Sequence, residues 1–192
     1  MAPAPRHRQA IVQAAVSLFR KQGYAATGLN EILERSGAPK GSLYHYFPGG
    51  KAQLGEAAVA LAGETVRRTL ADLGERSANA GDQLRRYVDQ VALWMEQSNW
   101  RDGCPITTTL LETAADLPAV AEAGRAAFAE WASVLSAALI KDGVDPSRAA
   151  SLGRFAISAL EGALVQTKVE RSPAALLEAG AELAAMFASS RG

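Results

Sequence analysis

Residues 37–51 read GAPKGSLYHYFPGGK, and the fold of the chain follows from this stretch and its neighbours. It contains no acidic residue, two lysines, one histidine and three aromatic rings beside glycine turns. Just before it, TGLNEILERSG (27–37) has the apolar spacing of a short amphipathic helix that ends at Gly37. Two short helices joined by a tight glycine turn favour the steep crossing of a helix-turn-helix.

The second helix of such a motif enters the major groove of DNA, with its N-terminal residues nearest the bases. Here those residues are Lys40, Gly41 and Ser42: a cation, a residue that permits close approach and a hydroxyl. Tyr44 and His45 follow on the predicted solvent side, where their polar rings can bond phosphate oxygens or touch thymine methyl groups.

Two further anion contacts are predicted at helix starts, where free backbone N–H groups attract phosphate. Thr27 stands at the start of the first helix of the motif, and Lys51 at the start of the long helix that follows it. If Gly28 is the cap of the first helix, Glu31 stands at its third position and can reach back to free backbone donors.

The charge distribution agrees with a nucleic-acid partner. The whole chain has no net charge, but residues 1–54 carry seven Lys and Arg against two acids, so this part is +5 and the remainder is −5. A basic head on an acidic body indicates an anionic partner for the head alone.

The rest of the pattern is helical, and the fold class predicted is all-α with about nine helices. Three short helices form a DNA-binding head, residues 1–54, and the others form a ligand-binding and dimerisation domain, residues 55–192. Asp82 and Asp145 are predicted helix caps, and Pro146 takes the first position of its helix. Helices are expected at about 106–114, 118–141, 147–169 and 173–189.

Several other classes of protein are disfavoured. No run of eighteen apolar residues is present for a membrane span. A single cysteine, Cys104, excludes an internal disulfide and fits a reducing cytoplasm. The sequence around Gly49-Gly50-Lys51 lacks the first glycine of a nucleotide-binding loop, and Ala52 replaces the hydroxyl that would hold magnesium.

No catalytic or cofactor site is expected either. Two histidines and one cysteine, widely separated, give no zinc spacing and no Cys–His pair. Glu112 and Asp116 are four residues apart on one helical face, which is more typical of a solvated surface than of an acid–base pair. We therefore expect no metal, no cofactor and no enzymatic activity.

The segment GYAATGLNEILERSGAPKGSLYHYFPGGKAQL (23–54) resembles the DNA-binding head of TetR-type regulators, a resemblance that covers roughly residues 6–54. The same stretch, with GCP near the middle and LEGAL later, is similar to the LmrA/YxaF-like branch. The resemblance implies a homodimeric repressor of a DNA operator, whose rear helices bind a small molecule and move the two heads apart. It assigns DNA contacts to Lys40, Ser42, Tyr44, His45 and Lys51, and a phosphate-contacting helix start to Thr27. Many relatives carry a second hydroxyl where this chain has Gly28.

Aromatic residues on the rear helices are either core or the walls of a ligand pocket. The candidate ligand-binding residues are Trp94, Gln97, Cys104, Thr108, Leu110, Leu111, Phe128 and Trp131. With no charged cluster among them, we expect an apolar or aromatic effector; regulators of the similar branch answer to flavonoids and lipophilic drugs. Cys104 is alternatively a sensor of oxidants or electrophiles, if it is exposed at the start of its helix.

The last two helices carry broad apolar stripes that are either monomer core or a dimer surface. The candidate dimer residues are Leu152, Phe155, Ala156, Ala159, Ala163, Leu176, Leu177, Leu183 and Phe187, and Gly153 and Gly162 allow close approach of helices. A homodimer is also expected because two heads read both halves of a palindrome. A helical interaction protein without a DNA role remains the alternative from another class.

Overall fold

The computed structural model of the protein describes residues 5–190. Within that range the chain forms nine α-helices and no strand. The helices are α1 Pro5–Gln22, α2 Leu29–Ser36, α3 Ser42–Tyr46, α4 Gly50–Glu75, α5 Ala80–Gln97, α6 Thr107–Thr113, α7 Pro118–Lys141, α8 Pro146–Glu170 and α9 Ala174–Ser189. The all-α prediction is confirmed. No helix of the described range is both long and apolar enough to cross a membrane.

Local signals explain most helix ends. Gly37 ends α2 in the left-handed conformation, with φ 64°, and its N–H donates to the carbonyl of Glu34. Asp145 caps α8 as predicted, because its Oδ1 accepts from the backbone N–H groups of Ser147 and Arg148 at 2.9 and 3.1 Å. The Ser147 hydroxyl also donates to Oδ1, and this bond first, with the two backbone bonds, lowers the pKa of the Asp145 carboxyl.

Two predicted capping details are wrong. Helix α5 is capped by Asn79, whose Oδ1 accepts from the N–H of Asp82 at 3.0 Å. Asp82 therefore lies in the first turn of α5 and accepts from the N–H of Ala78. Gly28 is the cap residue of α2, but Glu31 accepts from the side chain of Gln22 at 2.9 Å.

The described residues pack as two compact units that are discontinuous in sequence. Those up to Glu64 pack with Cys104–Ala126, and Thr65–Gly103 packs with the residues from Ala127 onward. Helices α4 and α7 therefore contribute to both units, and α6 belongs to the unit that contains the helix-turn-helix. The sequence predicts a linear division after residue 54 and does not anticipate this grouping.

The first unit has its core around the three head helices. Apolar side chains of α1 that face α2 and α3 are almost completely buried. They lie in one buried cluster with Ile32 of α2, Leu43 of α3 and Phe47, the residue after α3. The same cluster includes Leu54 and Ala58 of α4. Each Å² of apolar surface removed from water contributes roughly 25 cal/mol, so burial of this cluster stabilises the head.

The second unit has α9 packed against α5 and α8. Close approach of helices depends on small residues at two places. A Cβ at Gly153 of α8 would lie 2.5 Å from the backbone oxygen of Ala132 in α7, and one at Gly180 of α9 would lie 2.9 Å from a methyl group of Val88 in α5. Gly153 therefore permits close approach of α8 and α7 within one chain, whereas the sequence predicts close approach at the dimer surface.

Replacing Gly153 with alanine should lower the free energy of unfolding by about 1–3 kcal/mol, the usual cost of overpacking. The new methyl group would meet the Ala132 carbonyl, a backbone atom that moves only with its helix. Chemical unfolding followed by circular dichroism measures the change.

Ser151→Ala is the matched control, because Ser151 is an exposed position of the same helix. Its unfolding free energy should stay within about 0.5 kcal/mol of the parent value. Equal stability of the Gly153→Ala and Ser151→Ala proteins would contradict the assigned close contact.

Candidate nucleic-acid interface

The helix-turn-helix consists of α2, a turn over residues 37–41, and α3. The Ser42 N–H donates to the carbonyl of Pro39 at 2.9 Å, so the turn leads directly into α3. Leu43 and Phe47, four residues apart, are fully buried and hold α3 on the head. Their inward direction leaves the opposite side of this short helix facing solvent.

The solvent side carries four of the seven predicted DNA contacts. Lys40 and Gly41 are exposed in the turn before α3, and Tyr44 and His45 are exposed on α3 itself, Tyr44 by 65%. The His45 ring packs edge-on against Tyr46 at 5.0 Å between centroids, which restrains its position. An exposed cation, a phenol and an imidazole on one short edge are suited to bind phosphate oxygens and base edges.

Two predicted contacts, Thr27 and Ser42, do not present their side chains to solvent. Thr27 is completely buried, and its hydroxyl donates to the carbonyl of Gly23 at 2.7 Å. Ser42 is 2% exposed at the start of α3. Neither side chain is therefore available at the surface of the free chain, and the Thr27 hydroxyl instead supports the turn between α1 and α2. A contact of DNA with the backbone at these positions stays a prediction.

Lys51 lies in the first turn of α4, half-buried over the turn between α1 and α2. Its Nζ lies 4.4 Å from the centre of the Tyr24 ring and donates to the carbonyl of Ala25 at 3.4 Å. Desolvation lowers the pKa of the ammonium group, and the nearby Glu112 carboxylate acts in the opposite direction. The position of Lys51 is thus fixed by the turn beside it.

Glu112 is a residue whose contact the sequence does not reveal. It is exposed on α6, as expected for a solvated face, yet its Oε2 accepts from the Ala25 N–H at 2.5 Å. The two residues are 87 positions apart. Asp116, its predicted companion, lies beyond the end of α6 and is exposed. No local pattern could have joined Glu112 to the head.

The predicted ligand-binding residues are divided between the two units. Trp94, Gln97, Phe128 and Trp131 belong to the second unit, and Cys104, Thr108, Leu110 and Leu111 belong to the first. Trp131 is buried and packs edge-on against Phe128 at 5.4 Å, whereas Trp94 is 41% exposed and Leu111 is 81% exposed. As a set, these residues stay a prediction.

A cavity of about 360 Å³ lies within the second unit, where the ends of α4 and α7 meet the start of α5. Its lining includes Gly74, Gln83 and Lys141, and none of the predicted ligand-binding residues. Gln83 is buried and donates from Nε2 to the carbonyl of Leu70 at 2.8 Å, which ties α5 to α4.

Most predicted dimer residues are already covered within one chain. Six of them are at most 4% exposed: Leu152, Ala156, Ala163, Leu176, Leu183 and Phe187. Their apolar surface is used where α8 and α9 pack inside the second unit, so the prediction is corrected for these six. Phe155 and Leu177 remain exposed by 50% and 41%, and Ala159 is half-buried.

The outer face of α8 also carries exposed apolar residues outside the predicted dimer set. Val165 and Val169 are exposed by 58% and 78%, and with Phe155 and Gly162 they form a stripe along the helix. A Cβ at Gly162 would meet nothing within 4 Å in the single chain. The residue numbers 155, 162, 165 and 169 have the spacing of one helical face.

The described residues contain no group of three or more His, Cys, Asp or Glu placed to hold a metal ion. Cys104 is buried, 6% exposed, just before α6. The carbonyl of Cys104 accepts from the hydroxyl of Thr108 at 3.3 Å.

Comparison with known proteins agrees with this geometry. Residues 11–58 match the family model of bacterial regulatory proteins, tetR family, and residues 80–182 match that of the transcriptional regulator LmrA/YxaF-like C-terminal domain. The HTH-type transcriptional regulator LmrA of Bacillus subtilis is 34% identical over 170 residues, which cover 88% of this chain and 90% of LmrA. YxaF of the same organism, also an HTH-type transcriptional regulator, is 31% identical with 88% and 89% covered.

A solved structure of a TetR transcriptional regulator from Legionella pneumophila has the same fold. Its TM-score is 0.80, at 19% identity, over 96% of this chain and 97% of that one. The family models match both halves of the chain. These matches agree with the exposed edge of its helix-turn-helix. The chain belongs to the TetR family of bacterial regulators, with a C-terminal region of the LmrA/YxaF-like type, and is a DNA-binding regulator of transcription.

Proposed function

We propose that the protein is a cytoplasmic repressor that binds a palindromic operator as a homodimer and leaves it when an apolar or aromatic small molecule binds. The proposed DNA contacts are supported by the exposed edge that Lys40, Gly41, Tyr44 and His45 form. The packing of Leu43 and Phe47 beneath it fixes the direction of these groups before DNA arrives, so little conformational freedom is lost on binding.

A dimer follows from the size of that edge. A single five-residue helix contacts too few base pairs for specificity, whereas two heads bind half-sites about 34–36 Å apart, one helical turn. The outer face of α8, with Phe155, Gly162, Val165 and Val169, is the proposed contact, since a monomer would leave these apolar side chains in water. Gly162 lets a partner helix approach closely.

Release by a ligand requires that a change in the second unit reaches the head. Helix α4 begins at Gly50, beside the helix-turn-helix, and continues to Glu75, which belongs to the second unit. A tilt of this continuous helix would change the spacing of the two heads of a dimer, and mismatch to the half-sites lowers affinity. We propose no catalytic step: the relatives are regulators, and every role assigned here is one of binding.

Lys40→Ala and Tyr44→Ala should each weaken operator binding by about tenfold, as expected for the loss of a phosphate or base contact in both heads. The probe is the DNA upstream of the protein's own gene, and fluorescence anisotropy at several salt concentrations gives the affinity. If Lys40 binds phosphate, its loss should also reduce the slope of log K against log salt by about one per head.

Lys141→Ala is the control for Lys40→Ala, because it removes the same charge from an exposed site in the second unit. Its affinity should equal that of the parent protein. If Lys40→Ala and Tyr44→Ala also bind with parent affinity, the helical interaction protein without a DNA surface at α3 becomes the better description.

Val169→Glu should convert the dimer to monomer. It places a carboxylate in the proposed α8 contact, and burying an unpaired charge costs about 3 kcal/mol, or about a hundredfold in the dissociation constant. Sedimentation velocity at several protein concentrations measures the mass. Ile140→Glu, an equally apolar-to-acidic change at an exposed site of α7, should leave the dimer intact. Dimers of unchanged affinity in both variants would place the interface elsewhere.

The alternative sensor, Cys104, is disfavoured by its burial, because an electrophile must reach the thiolate. A flavonoid should therefore lower operator affinity equally in the parent protein and in Cys104→Ser, when binding is followed by anisotropy. Hydrogen peroxide should leave the parent affinity unchanged. A response to peroxide that disappears in Cys104→Ser would instead establish the oxidant sensor.

A further inference from the structure

We propose that Glu112 is a positioning residue for DNA binding: its carboxylate holds the turn between α1 and α2 on α6, and so sets the orientation of the helix-turn-helix. The turn, residues 23–28, is the only covalent link between α1 and the first helix of the motif. The carboxylate that contacts this turn belongs to a residue 87 positions further along the chain.

The contact is a hydrogen bond between a backbone donor and a charged acceptor. The Ala25 N–H donates to Glu112 Oε2 at 2.5 Å, outside any helix that could supply a backbone acceptor. Hydrogen bonds to an ionised acceptor are shorter and stronger than those between neutral groups. The carboxylate thus satisfies an amide group of the turn that the helices around it do not.

Gly23 makes room for the carboxylate. A Cβ at this position would collide with Oε1 of Glu112, and the backbone φ of +85° is one that favours glycine. The shape of the turn and the position of the Glu112 carboxylate are therefore fitted to each other on two sides, at Gly23 and at Ala25.

Ala25 is also held from α4. Its carbonyl accepts from Lys51 Nζ at 3.4 Å, and the same ammonium lies over the ring of Tyr24. That ring packs 5.2 Å from Phe19, and a Cβ at Gly55 of α4 would lie 3.0 Å from it. One residue of the turn is thus fixed through its N–H by α6 and through its carbonyl by α4, two helices outside the motif.

Two hydrogen bonds of Thr27 connect this turn to the start of α2. The Thr27 N–H donates to the carbonyl of Tyr24 at 3.2 Å, and the Thr27 hydroxyl donates to the carbonyl of Gly23 at 2.7 Å. The next residue, Gly28, caps α2 without any side-chain hydrogen bond. An eight-residue helix with so weak a start takes its direction from the turn, so loss of the Glu112 contact should loosen the motif without unfolding the head.

The test compares Glu112→Ala with Glu112→Gln, which keeps an acceptor oxygen, and with Asp116→Ala. Asp116 is an exposed carboxylate close by on the chain, beyond the end of α6, so this variant controls for charge. Three measurements are made on the full-length protein: operator affinity by anisotropy, affinity for an unrelated duplex, and amide hydrogen exchange at Ala25 by NMR.

In Glu112→Ala, exchange at Ala25 should accelerate about tenfold or more as the amide opens to water. Operator affinity should fall by about three- to tenfold, as for one charge-assisted contact at an exposed site, with affinity for the unrelated duplex and the melting temperature nearly unchanged. Glu112→Gln should recover most of the operator affinity, and Asp116→Ala should behave as the parent protein.

Unchanged exchange at Ala25 in Glu112→Ala, or equal weakening by Asp116→Ala, would overturn the proposal. So would accelerated exchange with parent affinity for the operator, since the contact would then support the turn alone. The proposal rests on DNA binding by the head, and Lys40→Ala on the same probe reports that binding separately. If even the parent protein fails to select the probe, the choice of operator is wrong, and exchange at Ala25 still decides whether the contact exists.

Discussion

Leu43 and Phe47 hold the recognition helix against the head, and the whole DNA-binding surface depends on that packing. A helix of five residues has too few internal hydrogen bonds to persist in water, so α3 exists because these two side chains are buried against α1 and α2. The same burial determines which residues face outward. Substitutions at Tyr44 or His45 can therefore change what the protein reads without disturbing the packing that holds the helix.

The sequence predicts the features that arise from neighbours along the chain. The left-handed turn at Gly37, the Asp145 cap with Pro146 after it, and the outward placement of Tyr44 and His45 on α3 are all local, and all are present. Where two neighbouring side chains could each cap a helix, the sequence does not determine which one does. Asn79 rather than Asp82 caps α5, because either side chain can accept from a free amide there and only the path of the chain selects one.

Contacts between distant segments could not be predicted in this way. The hydroxyls of Thr27 and Ser42 are of the right type for DNA, but their direction depends on the packing of the whole first unit. The apolar stripes of α8 and α9 are too broad to reveal which part the chain covers itself; Leu152 and Phe187 are inside, whereas Val165 and Val169 are outside. The meeting of Glu112 with Ala25 requires that residues 104–126 return to the head, which no periodicity shows.

The division into two units has a spectroscopic consequence. All three tryptophans, Trp94, Trp100 and Trp131, belong to the second unit, whereas Tyr24, Tyr44 and Tyr46 belong to the first. Indole emission therefore reports on the half proposed to bind the effector. Three of the four phenol rings report on the half that meets DNA, and the fourth, Tyr87, lies in the second unit. With Trp131 buried and Trp94 partly exposed, the indoles also differ in their access to a quencher. Each half of the molecule carries its own natural probe, so the order of events in a regulatory cycle can be followed without attaching a label.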